Sequence, residues 1–553
     1  MALKLNTNQV GLGSLLKEGF RHQQGLEEAV FRNIGACKSL AEIPRTSFGP
    51  YALNKLIINY LDKLFLTNDA GTILKEVEVQ HPAAKLILMA SQQQDKEMGE
   101  GTNLVVLLAG ELLAGAESLL RIGIKPSLIV EGYEMAYKRT LELLDALAIQ
   151  SIDPKNQDSL RSAILSVIGA KQRGWESTLT NLVLGAIDVA GFNTSFESAT
   201  SFNPDNVRCV KILGGSIPMS SVIAGIVLER EPLGQVHAIS NAKVAVFACP
   251  INISRTEAKG TVLIKGAQDL LDFSKGEEQI LKDQIKAIAD AGINVVVTGD
   301  TIGELALHFI ESHGMLALKV PSKFDLRRLC KAVSATPLAR LGAPTEEEAG
   351  RCDRVERIEI GSTRCTVFTQ GPDTRHRSRL ATIILRSNTQ NVLDDVERAI
   401  EDALFSVRNL CKDNRVLAGA GASEIELARQ LVSYGETTPG IAQHAIKKYG
   451  EAFEAIPRVL ASNAGFDSTE VLAKLYWAHS EQGGQQITAG VLVDTYDTPV
   501  GKTGILDVLS AKRSAIHLAT EAALTILRID QIIEANPSAG PRARPAGPQD
   551  SDD

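Results

Sequence analysis

The chain lacks the sequence features of several protein classes. Its seven cysteines are scattered, and no pair has the CxxC spacing of a zinc or redox site. Its formal net charge is −8, so there is no basic excess for nucleic acid. The nine histidines form no cluster with metal-ligand spacing, and no Ser/His/Asp or Cys/His set can be recognised. We therefore expect free thiols in a reducing cytosol, no zinc site and no nucleic-acid partner.

Membrane and targeting signals are also missing from the pattern. The N-terminus does not show the charged-then-apolar order of a secretory signal. The most apolar stretch, residues 104–120, contains Glu111 and Glu117 and is shorter than the ~20 residues that span a bilayer. With 44% hydrophobic and 22% charged residues, the 553-residue chain has the composition of a soluble cytoplasmic protein of about three or four domains.

The apolar patterning changes twice along the chain. Residues 1–150 and those from about 391 into the 520s have helical spacing, whereas 208–386 contain β-branched runs bounded by Gly and Pro, with helices between them. This predicts a helical domain made from both chain ends, with an α/β module inserted. Gly214, Gly215 and the segment 385–387 are candidate hinges, and the composition of 536–553 predicts a disordered tail.

Two short loops carry the clearest chemical pattern. Residues 66–74 and 98–103 each place one carboxylate, Asp69 or Glu100, among Gly, Thr and Asn just before an apolar run. Gly lets backbone amides approach a ligand, and a helix start attracts anions. A carboxylate suits such a site if a cation lies between it and the anion. The loops therefore predict a Mg²⁺–nucleotide site that is not a P-loop. Elsewhere in the chain, Gly501-Lys502-Thr503 resembles the end of a Walker A motif, but Tyr496 stands where that motif requires glycine.

Other candidates have two interpretations from the pattern alone. Residues 419–421, Gly-Ala-Gly, form either a helix–helix turn or a second close backbone approach to a ligand. Asp402 is either a solvated carboxylate on a helix or a catalytic one, and Lys171 is either a surface lysine or a site residue. The polar segment 251–278 is either an ordinary surface insertion or an extension that contacts a partner.

Together and in this order, several stretches resemble one family, the group II chaperonins. They are RTSFGP (45–50), TNDAGTIL (67–74), QHPAAK (80–85), GEGTN (99–103), VERAIEDAL (396–404), GAGASEIEL (419–427) and LRIDQII (527–533). The resemblance runs from residue 15 to about 534. Further stretches, at 17–33, 257–265, 273–278, 325–331 and 433–437, are similar to one subunit type of the eukaryotic cytosolic chaperonin.

The resemblance implies a multi-domain α/β chaperonin fold. The expected parts are a mostly helical equatorial ATP-binding domain at 1–150 and 405–535, an intermediate hinge domain at 151–214 and 371–404, and an inserted apical α/β domain at 215–370. Residues 251–278 would form a helical protrusion that acts as a built-in lid. The implied partners are seven paralogous subunits in a hetero-oligomeric double ring, and non-native clients such as actin and tubulin.

The resemblance also implies roles for individual residues. Asp69 and Asp402 are expected to position the attacking water, Lys171 to sense the γ-phosphate, and Glu100 to coordinate Mg²⁺. The remaining residues expected to bind ATP or ADP are Gly49, Pro50, Gly99, Gly101, Thr102, Asn103, Gly419, Gly421 and Asp507.

Three positions depart from the family pattern. Glu100 replaces an Asp, Tyr51 stands where a Lys is common, and Ala420 replaces the middle glycine of three, where a Cβ would crowd the loop if φ is positive. The leading hypothesis is an ATP-driven folding-machine subunit. The alternatives are a ring subunit that binds nucleotide but hydrolyses it slowly, and an unrelated ATP-dependent metabolic enzyme.

Overall fold

The computed structural model of the chain describes residues 21–22, 26–59, 61–154, 156–190, 202–252, 267–370, 380–480, 486–493 and 499–534. The predicted tail, 536–553, and residues 253–266, half of the predicted protrusion, lie outside these ranges. The helices are α1 (Leu26–Arg45), α2 (Ala70–Glu76), α3 (Pro82–Met98), α4 (Thr102–Arg121), α5 (Pro126–Ala146), α6 (Gln157–Gly169), α7 (Glu176–Val189), α8 (Ala267–Asp290), α9 (Glu304–Ser312), α10 (Lys323–Val333), α11 (Gln390–Lys412), α12 (Ala422–Thr437), α13 (Ala442–Ala452), α14 (Ala455–Asn463), α15 (Ser468–His479) and α16 (Leu509–Leu527).

The strands are concentrated in the middle of the chain, with short pairs elsewhere. They are β1 (Arg21–His22), β2 (Lys55–Ile58), β3 (Leu64–Thr67), β4 (Gln150–Ser151), β5 (Val207–Leu213), β6 (Ser221–Leu228), β7 (Ala238–Phe247), β8 (Val295–Thr298), β9 (Leu316–Lys319), β10 (Gly350–Ile360), β11 (Thr363–Thr369), β12 (Ala381–Ser387), β13 (Arg415–Ala418), β14 (Ala489–Val491), β15 (Val500–Lys502), β16 (Leu506–Val508) and β17 (Ile533–Glu534).

The helical part has one apolar core built from both ends of the chain. Buried residues of α1, α3, α4 and α5 pack with those of α12, α13, α14 and α16. The central helix is α4, whose Leu108, Leu112 and Leu113 are fully buried. Because its apolar residues face neighbours on several sides, α4 is apolar around most of its circumference.

Helix α4 also has the length and composition of a membrane span. It has 20 residues, so the prediction that this segment is too short to span a bilayer was wrong about length. Of its most apolar window, 61% is buried within the protein. Packing in the core between the two chain ends accounts for its apolar character.

The middle of the chain forms an eight-stranded mixed sheet, in the order β5-β12-β6-β11-β10-β7-β8-β9. Strands β7, β8 and β9 are parallel, with α8 and α9 as their connections, as the alternation of patterns predicted. Strand β6 joins the two halves: its first residues pair with β12 and its last with β11. The change occurs at Gly225, where φ is +130° and a Cβ would lie 1.9 Å from the carbonyl oxygen of Phe368.

Two local features differ from the helical prediction for the chain ends. The first is the β2–β3 hairpin, whose turn is closed by Asn59: its Oδ1 accepts hydrogen bonds from the backbone N–H groups of Leu61 and Lys63. The second is the small sheet β16-β13-β4. These strands are two to four residues long and pair with segments far away in sequence, so no local periodicity marks them.

A second core connects the helical part with the sheet. It contains buried residues of α6, α7 and α11, of β5 and β12, and of the β13 and β16 region. The candidate hinges meet here, because β5 and β12 are parallel neighbours and the backbone N–H of Gly214 donates to the carbonyl oxygen of Ser387 at 2.8 Å. Helix α11 and the segment after α6 are thereby directed at the loop that precedes α2.

Candidate functional site

Asp69 begins the short helix α2. Its Oδ2 accepts hydrogen bonds from the backbone N–H of Thr72 at 2.9 Å and from Thr72 Oγ1 at 3.0 Å. This is the N-cap arrangement, which satisfies a helix N–H that has no partner within the helix. Its other oxygen, Oδ1, lies 3.1 Å from Lys171 Nζ. Burial opposes ionisation of Asp69, but Lys171 and Thr72 outweigh it and lower the pKa to about 2.

Lys171 joins two carboxylates from distant parts of the chain. Besides Asp69, its Nζ forms an ion pair with Oδ2 of Asp402, a buried residue of α11. The side chain of Asn68 also donates to the backbone oxygen of Lys171 at 3.3 Å. The structure thus brings together three residues from separate elements: the loop before α2, the segment after α6, and α11.

The charges of this triad are unevenly balanced. Burial disfavours the ammonium of Lys171, but Asp402 and Asp69 outweigh that effect and raise its pKa, so Lys171 stays charged. Burial raises the pKa of Asp402 despite Lys171, and the negative charge of Asp69 adds to the rise. One ammonium therefore does not balance the carboxylates around it, and the site favours another positive charge.

Glu100 lies in the tight connection between two long helices. Helix α3 ends at Gly99 with φ +74°, and α4 begins after Gly101 with φ +86°. Both values are in the left-handed region that favours glycine, which explains the GEG pattern. Glu100 Oε2 accepts a hydrogen bond from Ser406 Oγ at 3.1 Å, across to α11. Burial, helped by the charge of Asp507, raises the pKa of Glu100 to about 7.

The start of α4 is tied to the loop that contains Gly49 and Pro50. The side-chain amide of Asn103 donates from Nδ2 to the carbonyl oxygen of Ser47 at 2.9 Å. Its Oδ1 is buried and accepts no hydrogen bond from any residue that the structure describes. Thr102 begins α4, which has no side-chain cap, so its first N–H groups are available to an anion. Gly49 has φ +86°. The two segments thus form one wall of the site.

The third loop, 419–421, connects strand β13 to helix α12, so it is not a helix–helix turn. Ala420 has φ +56°, so the non-glycine residue does adopt the left-handed conformation that the sequence left open. Gly421, with φ +80°, precedes α12, which also lacks a side-chain cap. The backbone N–H of Val491 donates to Ala420 O at 2.9 Å and holds the loop. A Cβ on Gly419 would lie 2.9 Å from Asp507 Oδ1, so Gly419 and Asp507 are in close contact.

Sequence reasoning missed a buried lysine beside Asp507. Lys512, on α16, has only 6% of its side chain exposed. Its Nζ lies 2.5 Å from Asp507 Oδ2, 2.7 Å from Glu424 Oε1 and 2.8 Å from Ser423 Oγ. Burial opposes its charge, but Asp507 and Glu424 outweigh that and raise the pKa. In the sequence Lys512 stands next to Arg513 and Ser514, so no local pattern marked it as buried.

These residues fit a Mg²⁺ ion that is shared with phosphate rather than held by protein alone. In the described ranges, no group of three or more His, Cys, Asp or Glu side chains could hold a metal. Mg²⁺ commonly binds one or two carboxylates together with substrate phosphates. Glu100 is the carboxylate of the loop, and its raised pKa means that a positive charge nearby would be stabilising. The buried, unpaired Oδ1 of Asn103 likewise suits a cation or a donor.

Comparison with known proteins identifies the family of the chain. Residues 40–537 match the TCP-1/cpn60 chaperonin family. The chain is 50% identical to the probable T-complex protein 1 subunit theta of Schizosaccharomyces pombe, over 97% of this chain and 96% of that protein. It is 48% identical to the human T-complex protein 1 subunit theta, over 98% of both chains. The similarity extends over nearly the full length, and the chain belongs to the TCP-1/cpn60 chaperonin family.

Proposed function

We propose that the chain is an ATP-hydrolysing subunit of a cytosolic group II chaperonin, a folding machine whose closure is driven by ATP. Family membership supports nucleotide binding and a role in protein folding. The observation that carries the more specific proposal is the Lys171 bridge. An ammonium from the segment after α6 reaches two carboxylates on different elements, 3.1 Å from Asp69 and in contact with Asp402.

The roles of the residues follow from phosphoryl-transfer chemistry, which needs positioning and charge neutralisation. Asp69 and Asp402 would orient the attacking water, and Lys171 would contact the γ-phosphate. The backbone at Gly49, Pro50, Gly101, Thr102 and Asn103 would hold the phosphates. Gly419, Gly421 and Asp507 would lie against the nucleoside. Mg²⁺, bound through Glu100, would neutralise phosphate charge.

Hydrolysis would be gated by Lys171. While its ammonium is paired with Asp402, that carboxylate is a poor proton acceptor. A γ-phosphate that attracts Lys171 would weaken this pair and free the carboxylate of Asp402 to orient the attacking water and accept its proton. Because Lys171 and Asp402 belong to elements other than the phosphate loops, the site is complete only when these elements are docked together.

We propose three domains with the predicted boundaries: equatorial at 1–150 and 405–535, intermediate at 151–214 and 371–404, and apical at 215–370. Separate apolar cores support a division into three domains, and the second core extends past the boundary at 405 to Val407 and Leu410 of α11. The first core contains buried residues from both chain ends, and the second contains buried residues of α6, α7 and α11. Two further cores lie on the two faces of the sheet in the β7–β10 region. Closure of the intermediate domain onto the equatorial one would then move Lys171 and Asp402 together.

The proposal includes a hetero-oligomeric double ring with seven paralogous subunits and clients such as actin and tubulin. The names of the relatives support membership of such a complex. The β2–β3 hairpin offers surface for a partner chain, since Leu56, Ile58 and Leu64 are 60%, 65% and 51% exposed. Native mass measurement of the purified chain with its co-purifying proteins tests this part, because a small oligomer would contradict it.

The mechanistic test uses Asp402→Ala in assembled complexes whose other subunits are inactivated at their own sites. We expect ATP binding to be kept and hydrolysis to fall on the order of 10²- to 10⁴-fold, the range for a lost general base. The matched control is Asp394→Ala on the same helix, which removes a carboxylate that pairs with Lys211 at the surface. Normal turnover by the Asp402 variant would refute the assigned role.

A slow-hydrolysing subunit is the second candidate, and Ala420 is the observation that favours it. A left-handed alanine strains the loop that holds the nucleoside. The same single-subunit assay separates the candidates. Nucleotide binding with negligible turnover in the unmutated chain would select the slow subunit, whose role would be assembly and client contact.

A further inference from the structure

Three consecutive residues before α2 each contact an element that the proposed closure would bring to the site. Asp69 Oδ1 lies 3.1 Å from Lys171 Nζ, and Asn68 Nδ2 donates to the backbone oxygen of Lys171 at 3.3 Å. Thr67, the last residue of β3, contacts α11 instead: its Oγ1 accepts a hydrogen bond from Arg398 Nη1 at 3.0 Å. The loop is therefore held by α11 as well as by the segment after α6.

The buried hydroxyl of Thr67 forms three hydrogen bonds. Thr67 is 1% exposed, and its Oγ1 also accepts the backbone N–H of Asp69 at 3.1 Å. The side chain of Asp395, also on α11, forms the third hydrogen bond with that of Thr67. A hydroxyl has one proton to donate and two lone pairs, so a carboxylate acceptor and two N–H donors satisfy it completely. One oxygen atom therefore joins the backbone of Asp69 to Asp395 and Arg398.

Helix α11 faces the loop with three charged side chains. Asp395, Arg398 and Asp402 have the spacing i, i+3, i+7, which places them on the same face of a helix. Arg398 Nη1 lies 2.8 Å from Asp395 Oδ1, so these two residues form an ion pair beside Thr67. One turn after Arg398, Asp402 pairs with Lys171. The position of α11 against the loop is therefore set at two points, one helical turn apart.

We propose that Thr67 is a positioning residue for hydrolysis, which joins Asp69 to α11 so that Asp69 and Asp402 face one water molecule at a fixed separation. The inference rests on the proposed function and deepens it. The hydrogen bond from the N–H of Asp69 holds that residue in the extended conformation of an N-cap, with φ −75° and ψ 121°. The contacts with Arg398 and Asp395 fix the loop relative to the helix that carries Asp402. Because rate depends steeply on the orientation of reacting groups, displacement of either carboxylate should lower turnover while nucleotide affinity is kept.

The experiment compares turnover with nucleotide binding in assembled complexes whose other subunits are inactivated at their own sites. Binding is measured by photolabelling of this chain with azido-ATP, resolved by subunit mass. Thr67→Val removes the hydroxyl but keeps the branched shape, and should lower kcat on the order of 10-fold with labelling unchanged. Thr67→Ser keeps the hydroxyl and should keep the turnover. Arg398→Met should also lower kcat, and the double variant should be no slower than Thr67→Val, because both changes act through the same hydroxyl.

The matched control is Thr298→Val in the eight-stranded sheet. Thr298 is the last residue of β8 and is fully buried, and its Oγ1 likewise accepts the backbone N–H of an aspartate two residues later, Asp300, at 3.1 Å. This variant should keep normal turnover.

Four results would each overturn the inference: normal turnover in Thr67→Val, an equal loss in Thr67→Ser or in Thr298→Val, a loss of labelling as large as the loss of turnover, or losses that multiply in the double variant. If Thr67→Val does not assemble, Arg398→Met decides by the same comparison of turnover with labelling. If the unmutated chain does not hydrolyse ATP, the proposed function fails and the inference fails with it.

Discussion

Two clusters of buried charge in this protein are balanced in opposite ways. The first joins Glu426 and His479, whose side chains are 1% and 0% exposed. Glu426 accepts hydrogen bonds from Arg429 and Gln430, and its Oε2 lies 2.9 Å from His479 Nδ1. The other ring nitrogen of His479 faces the backbone oxygen of Ala489 at 2.8 Å. Burial opposes ionisation of Glu426, but these donors outweigh it and lower its pKa to about 2.

The second cluster is the candidate site, where carboxylates outnumber ammonium groups. Asp69 and Asp402 pair with Lys171, Glu100 accepts a hydrogen bond from Ser406, and burial raises the pKa of Glu100 and of Asp402. The charge balance of a buried cluster therefore distinguishes a structural cluster from one that can bind a ligand. A cluster whose lone pairs are all satisfied joins elements of the fold, here α12, α15 and β14. A cluster with surplus charge of one sign is suited to a ligand that brings the opposite charge.

The largest effect on stability is expected from breaking the balanced cluster. Glu426→Ala leaves His479 and Arg429 without their shared carboxylate and should lower the free energy of unfolding by about 3–5 kcal/mol. Thermal unfolding of the complex, followed for this chain by proteolysis, measures it. Glu436→Ala on the same helix is the control, because its exposed pair with Lys447 is worth little. A stability equal to that of the control would contradict the structural role.

In the unbalanced cluster, stability should depend on pH through Glu100. Its pKa is about 7 in the folded chain and about 4.5 when exposed. Between these pH values Glu100 is therefore protonated in the folded state but ionised in the unfolded state. The contribution of Glu100 to the free energy of unfolding is fully present below pH 4.5. It falls by about 3 kcal/mol in total as the pH rises to 7. Glu100→Gln, studied without nucleotide and Mg²⁺, should reduce the slope of stability against pH, and the raised pKa of Asp402 accounts for the slope that is left.

Thermal unfolding between pH 5 and pH 8 checks this expectation. Glu142→Gln, which removes an exposed carboxylate paired with Arg139, should leave the slope unchanged. An identical slope in the Glu100 variant would show that its charge is not the source.

Removing the ammonium of Lys171, which bridges Asp69 and Asp402, should affect hydrolysis more than assembly. Lys171→Met is expected to lower turnover by this subunit on the order of 100-fold, about 2.7 kcal/mol, as for other lost transition-state contacts. Lys211→Met is the matched control, because Lys211 also bridges two carboxylates, Asp394 and Glu397, at 2.7 Å each. Single-subunit turnover that falls equally in both variants would show that the loss is only structural.

The smallest expected effect concerns the loop at 419–421. Ala420→Gly should stabilise the chain by about 1 kcal/mol, because φ of +56° is strained for alanine and not for glycine. Gly421→Ala is the opposite control: φ is +80° there, and a Cβ would lie 2.9 Å from Pro457. Unfolding midpoints that move in the same direction for both variants would contradict this account of the backbone.

Much of the fold followed from local patterns. The strands β5 to β8 and β12 were predicted by β-branched runs, and helices at both chain ends by their apolar spacing. The hairpin β2–β3 and the strands β13 to β16 were missed because they are only three or four residues long, and β13 and β16 also pair across distant parts of the chain. The spacing of glycines correctly marked the turns around Glu100, since the positive φ of Gly99 and Gly101 is a local requirement.

The sequence by itself determined the family, the insertion of an α/β module between helical ends, and the residues that are candidates for the site. Tertiary structure decided which of these candidate residues are in contact. That Lys171 bridges Asp69 and Asp402, that Lys512 is buried against Asp507, and that Arg173 stacks on Tyr51 are contacts between separate elements. Periodicity and turn chemistry act over a few residues, whereas these contacts depend on how whole elements pack, which no local pattern encodes.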